Sequence, residues 1–164
     1  MKTLLLLRHA KSSWKDSAIS DHERPLNERG RRACKLIRSF LDSRQMVPDF
    51  VLSSSAVRTR ETVERVFAND QRLPDIRFTD ALYLATTGKL QDAVEDLENQ
   101  YQRVLLVAHN PGIESLFFRL TGTEQRFPTA ALAHLSFAID NWSDVANSQA
   151  KVEWFVTPKQ LEEG

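Results

Sequence analysis

The sequence predicts an α/β fold, a three-layer α/β/α sandwich around a mostly parallel central sheet. Three observations point there. Short apolar runs alternate with longer amphipathic stretches along the chain. Two runs, Leu4-Leu5-Leu6-Leu7 and Val104-Leu105-Leu106-Val107, are apolar throughout, as central strands covered on both faces are. The residues suited to chemistry also cluster just after the apolar runs, where open α/β sheets bind ligands.

Strands are expected at Thr3–Leu7, Phe50–Leu52, Arg77–Thr79, Val104–Ala108, His134–Ile139 and Val152–Val156. The first helix is expected over Glu28–Asp42, capped by Asn27, with Ala33, Leu36, Ile37, Phe40 and Leu41 at helical spacing. A second runs from Ala56 to Ala68 on Val57, Val63, Val66 and Phe67. A third spans Lys89–Asn99 on Leu90, Ala93, Val94 and Leu97. Pro111 opens a fourth, carried by Ile113, Leu116, Phe117 and Leu120 and stopped by Gly122. Thr121–Ala131 reads as a loop.

No repeat, low-complexity tract or linker divides the 164 residues, so one domain over 1–164 is expected. A chain of this length buries enough surface to fold without a disulfide or metal staple. Twenty-two Lys+Arg against 22 Asp+Glu give a formal net charge of +0, which argues against a protein devoted to gripping nucleic acid. The lone cysteine, Cys34, lies in the first predicted helix with no reactive motif around it. The N-terminal leucines are too few for a signal peptide, and no apolar run reaches the length of a membrane span. The expectation is a reduced, cytoplasmic protein, a monomer with no nucleic-acid or membrane partner.

Arg8-His9-Ala10-Lys11-Ser12-Ser13 comes after the first strand, Ser53-Ser54-Ser55-Ala56-Val57-Arg58-Thr59 closes the second, and His109-Asn110-Pro111-Gly112 comes after the fourth. Brought to one crevice, these motifs join His9 and His109 to Arg8 and Arg58 with no carboxylate beside them in the motifs. A dianion is the natural occupant. Arginine forks match phosphate oxygens, and helix N-termini near Ala56 and Pro111 add backbone donors. Neutral imidazole is also a nucleophile, so a phosphoryl group could pass through His9. None of His9, His22, His109 and His134 has the spacing of a metal ligand set, so no metal and no cofactor are expected. His22, in a charged loop, and His134, within a strand, read as structural.

These motifs resemble the histidine phosphatase superfamily, whose signature is an Arg-His-Gly tripeptide after the first strand and whose fold is phosphoglycerate mutase-like. Leu4 to Trp14 and Asp21-His22-Glu23-Arg24-Pro25-Leu26-Asn27-Glu28-Arg29-Gly30 are similar to its SixA-type phosphohistidine phosphatase branch. The similarity runs from residue 4 to about 114. The resemblance implies that His9 is the phosphorylated nucleophile, Arg8 and Arg58 clamp phosphate, and His109 stabilises the transferring group. It implies Arg24 as a further pocket arginine. Asn110, Ser12 and Ser13 are secondary donor candidates.

Two departures stand out. Ala10 replaces the signature glycine, adding one methyl group. Where sugar-phosphate-processing relatives carry a glutamate as general acid, the matching position here is Leu84. An alkoxide leaves badly without a placed acid, whereas imidazole, with a conjugate acid near pKa 6.5, leaves more readily. Asp80 and Glu114 remain candidate acids. The expected activity is therefore a metal-independent phosphatase acting on protein phosphohistidine. The alternatives are a small-molecule phosphomonoesterase or mutase using one of those acids, and a non-catalytic phosphate-binding signalling module. Trp14, Trp142, Trp154 and Phe78 are candidates for core or for a partner surface.

Overall fold

A computed structural model describes residues 1–68 and 73–164. Among them, β1 (Lys2–Arg8), β2 (Phe50–Ser54), β3 (Asp75–Thr79), β4 (Arg103–Ala108), β5 (Leu132–Phe137) and β6 (Lys151–Val156) form one sheet in the order β3-β2-β4-β1-β5-β6. The first four strands pair in parallel, and β5 and β6 run antiparallel at one side. Leu4 to Leu7 and Val104 to Val107 are wholly buried, as their continuous apolarity requires of central strands. Each face of the sheet carries its own core. Leu5 and Leu7 pack under α1 (Glu28–Ser43) and α2 (Val57–Val66), while Leu4 and Leu6 pack under α3 (Thr87–Glu95) and α4 (Gly112–Thr121).

Several boundaries differ from the sequence reading. α3 ends at Glu95, four residues early, where Asp96 N–H bonds back to Asp92 O and Val94 O. β5 lies two residues earlier than expected because it pairs Leu132–Phe137 with β1. A 3₁₀ turn over Trp142–Asn147 and a short helix α5 (Pro158–Glu163) occupy a region where the pattern predicts only strand and loop. Thr157 and Gln160 cap α5 reciprocally, so its start signal is local and legible. Trp142 is fully buried, and Trp154 and Phe78 pack against the core. Trp14 alone of the four is a surface side chain, 70% exposed. No described helix is long and apolar enough to cross a membrane.

Gly30 allows the loop after β1 to close on α1. A Cβ at this position would lie 2.2 Å from Lys11 O, a backbone clash that no side-chain adjustment relieves. Asn27 accepts from Gly30 N at 2.8 Å, and its N–H donates to Lys11 O at 3.0 Å. Ser12 and Leu26 then form a β-bridge. The segment just past His9 is thereby fixed against the segment that carries Asp21 and Arg24.

Candidate active site

The sheet register creates the crevice. In β1 and β4, Arg8 pairs with Ala108, so the next residues, His9 and His109, emerge side by side with ring centroids 5.2 Å apart. β2 lies on the other side of β4, and its terminal Ser54 places Oγ 2.8 Å from His109 Nε2. α2 starts beyond Ser55 with Arg58 in its first turn, and α4 starts just past His109. The three motifs meet at the carboxyl ends of neighbouring parallel strands.

His9 is buried, and its Nδ1 lies 2.8 Å from Ala10 O. A carbonyl only accepts, so Nδ1 carries the hydrogen and Nε2 keeps its lone pair. Burial pushes the imidazole down to about 3, and the charges of Arg58, Arg8 and Arg24 push the same way. His109 is also held near 3, by burial first, then by His9 and Arg58. Both rings are therefore neutral at physiological pH. Ala10 is fully buried and donates its N–H to Thr62 Oγ1 at 3.0 Å, so the methyl group that replaces the signature glycine's hydrogen is accommodated in the core.

The arginines are held by part of their donors only. Arg8 Nη1 donates to Phe127 O at 2.9 Å, and Arg58 donates to Asp21 O at 2.7 Å and Asp21 Oδ2 at 3.0 Å. Arg8 Nε, Arg58 Nε and His109 Nδ1 are buried with no hydrogen-bond partner. Buried polar groups normally find partners, so the unpartnered Arg8 Nε, Arg58 Nε and His109 Nδ1 near His9, with Asn110 Oδ1 also unpartnered in the same wall, mark a place for a polar ligand. Arg24 is only 7% exposed. It donates to Ser12 Oγ and to Asp21 Oδ1, and its guanidinium stacks on Trp14, 3.6 Å from the ring centroid.

The crevice does contain a carboxylate, contrary to the motif reading. Asp21 binds Arg58 and Arg24 and accepts the Tyr83 hydroxyl. It arrives on a 3₁₀ turn (Asp21–Glu23) in the long connection after β1, inside the Asp21–Gly30 element whose resemblance singled out Arg24 and not Asp21. The Tyr83 hydrogen bond, with Arg24 and Arg58, lowers Asp21 to about 2, so the group is ionised at neutral pH. Tyr83 is equally hidden in the sequence. Its ring stands edge-on to His109 at 5.5 Å and to His22 at 4.8 Å. Only the i, i+3 spacing of Asp21 and Arg24 is a readable signal; nothing local points to Tyr83.

The remaining candidates occupy the wall of the crevice. Asn110 Nδ2 donates to Phe127 O, the carbonyl that also holds Arg8, while Glu114 Oε1 accepts from Phe127 N at 3.1 Å. Both fix the loop behind Arg8. Ser12 Oγ accepts from Arg24, and Ser13 Oγ accepts from Lys15 N. Asp80 is exposed, accepts from Ser55 Oγ and lies 4.0 Å from His22, whose Nε2 is 2.9 Å from the same hydroxyl. His22 is thus part of the rim and not an isolated loop residue. Leu84, next to Tyr83, is 55% exposed with φ 48 and brings no carboxylate to the rim. A groove of about 970 Å³ between α4 and residues 124–126 adjoins the crevice at Glu114. Among the described residues, no three His, Cys, Asp or Glu side chains gather closely enough to hold a metal ion.

The mixed α/β sheet with its flanking helices is the phosphoglycerate mutase-like fold. The model of the histidine phosphatase superfamily (branch 1) matches residues 4–83. An uncharacterised protein of Mycobacterium tuberculosis is 30% identical over 164 residues, 93% of this chain and 100% of that one. This chain belongs to the histidine phosphatase superfamily. Two solved structures assigned as the phosphohistidine phosphatase SixA are similar along nearly their whole length. That from Nakamurella multipartitia is 26% identical with a TM-score of 0.84, covering 96% of each chain. That from Agrobacterium tumefaciens is 28% identical with a TM-score of 0.83, covering 96% of this chain and 98% of the other.

Proposed function

We propose that the chain is a metal-independent phosphatase that transfers a phosphoryl group to His9 Nε2 and then to water, with protein phosphohistidine as its substrate class. The observation that carries the reading is the set of unpartnered buried nitrogens, Arg8 Nε, Arg58 Nε and His109 Nδ1, the last a donor when Nε2 accepts from Ser54 Oγ, beside a neutral His9 whose Nε2 lone pair is free. A phosphoryl group satisfies all three donors at once and presents phosphorus to the nucleophile. Arg8, Arg58 and His109 stabilise the charge on its equatorial oxygens, and Arg24 extends the cationic wall toward the mouth.

Two features support phosphohistidine over a sugar phosphate. The carboxylate at the mouth, Asp21, is ionised and tied to two arginines, so it offers no carboxylic acid to an alkoxide, whereas imidazole leaves with help from a weaker acid. The rim also carries exposed Trp14 and Leu84, an open apolar border suited to a phosphoryl group displayed on a protein surface. The resemblance to SixA-type structures points the same way. The test is activity of wild type and His9→Ala on a phosphohistidine-bearing protein and on a sugar phosphate. Efficient turnover of the first alone, abolished in His9→Ala, is expected; preference for the sugar phosphate overturns the substrate assignment.

A further inference from the structure

We infer that Tyr83 is a catalytic residue, the proton donor to the leaving group in place of the carboxylic acid that Leu84 does not supply. The inference deepens the proposed function and rests on its phosphoenzyme. The proton-bearing groups around the crevice are few. Asp21 is ionised, His9 and His109 are neutral with their roles taken, the arginines keep their protons, Glu114 is tied to Phe127 N, and Asp80 and His22 are tied to Ser55 Oγ on the rim. Tyr83 is a phenol, protonated at neutral pH, half-buried at the mouth of the same crevice.

Its position is fixed by contacts to groups that would touch the phosphoryl unit. The ring packs edge-on against His109, which is itself the ring neighbour of His9. The Arg58 guanidinium lies 5.9 Å from the Tyr83 centroid. The hydroxyl donates to Asp21 Oδ2, the oxygen that Arg58 Nη2 also holds. The phenol oxygen is therefore within one shared carboxylate of a phosphate-clamping arginine. Burial and the Asp21 bond both keep its proton on, while Arg58 stands near to balance a phenolate when the proton leaves.

In the first step, the His9 Nε2 lone pair forms the bond to phosphorus as the bond from phosphorus to the leaving nitrogen or oxygen breaks. The bonding pair stays on the leaving atom, which takes the Tyr83 hydroxyl proton as the hydroxyl turns from Asp21 Oδ2. In the second step, water attacks the phosphohistidine and gives its proton to the Tyr83 phenolate; the pair of the phosphorus–nitrogen bond returns to Nε2. The net change is hydrolysis, with Tyr83 and His9 restored.

A leaving-group series on Tyr83→Phe tests this directly, because Phe keeps the ring against His109 and His22 and removes only the hydroxyl. The measured quantity is kcat/KM for p-nitrophenyl phosphate and phenyl phosphate, which reports the first transfer. The loss expected is about 10²-fold for the poorer phenol and under about threefold for p-nitrophenol, since a good leaving group needs little acid help. An equal loss on both, or no loss on phenyl phosphate, overturns the role of Tyr83 and leaves the phosphoenzyme standing. Full activity of His9→Ala would instead remove the phosphoenzyme on which the inference rests.

Discussion

β1 carries a buried cationic region at each end, and the two are built differently. At its start, Lys2 is 1% exposed, and its ammonium donates to Asn99 O at 2.6 Å and Tyr101 O at 3.0 Å, with the Trp142 ring 5.7 Å away. At its other end, Arg8 and the neighbouring Arg58 leave a buried Nε each without a partner. Both ends bring positive charge out of water. At the amino end Lys2 is answered by carbonyls and an aromatic face, and Arg103 Nε on the adjoining strand is an unpartnered donor; the carboxyl end leaves two arginine Nε donors unanswered around one crevice. Burying a polar group without a hydrogen bond costs stability, so the incomplete end is the one shaped around something that comes and goes.

Changes at the incomplete end should have the largest effects on function. His9→Ala should lower phosphatase activity by at least about 10³-fold, the order seen when a nucleophile is removed, with the fold intact by circular dichroism. Arg58→Ala should come next, with a loss of about 10²–10³-fold in kcat, the usual effect of deleting one donor to developing charge. Inorganic phosphate at 100 times its Kd should stabilise wild type by about 2.7 kcal/mol, read as a rise in Tm, and should do much less for Arg58→Ala.

Acid should expose the same end more gently. His9 and His109 are held near 3 in the folded chain against an ordinary value of 6.5. Between these values the unfolded chain binds more protons, so stability is full above about 6.5 and falls as pH drops toward 3. Asp21, lowered to about 2, adds a further loss below about 4. Denaturation midpoints measured from pH 7 to 4 should decline, less steeply in His109→Gln. The complete end predicts the reverse profile. Lys2→Met should leave activity unchanged and cost about 1–3 kcal/mol, because it strips a donor from Asn99 O and leaves Tyr101 O with the Trp142 indole N–H alone. The smallest effect belongs to Cys34, whose thiol burial pushes up to about 12; native protein should resist alkylation that the urea-unfolded chain undergoes.

The two ends are not equally legible in the sequence. Arg8, His9, Arg58 and His109 stand next to apolar runs, and the parallel register gathers the residues just past such runs, so their meeting can be reasoned from pattern alone. Asp21 and Tyr83 come from connections whose course depends on tertiary contacts. Their pairing spans 62 residues, and no local periodicity encodes it. Lys2 is equally opaque: a lysine beside the N-terminus reads as solvated, and only the carbonyls of the turn before β4 make its burial tolerable. Helix boundaries slip for a related reason, since α3 stops where its backbone closes a turn at Asp96, not where its apolar stripe ends.

Everything proposed for the incomplete end depends on a covalent phosphoryl group on His9. Wild type mixed with a phosphohistidine-bearing protein can be rapidly quenched into alkali, which preserves phosphoramidate bonds, and its peptides read by mass spectrometry. Phosphate is expected on the His9 peptide, labile to acid and absent from His9→Ala. Steady turnover without any phosphorylated His9, or with the phosphoryl group on another residue, would contradict the mechanism.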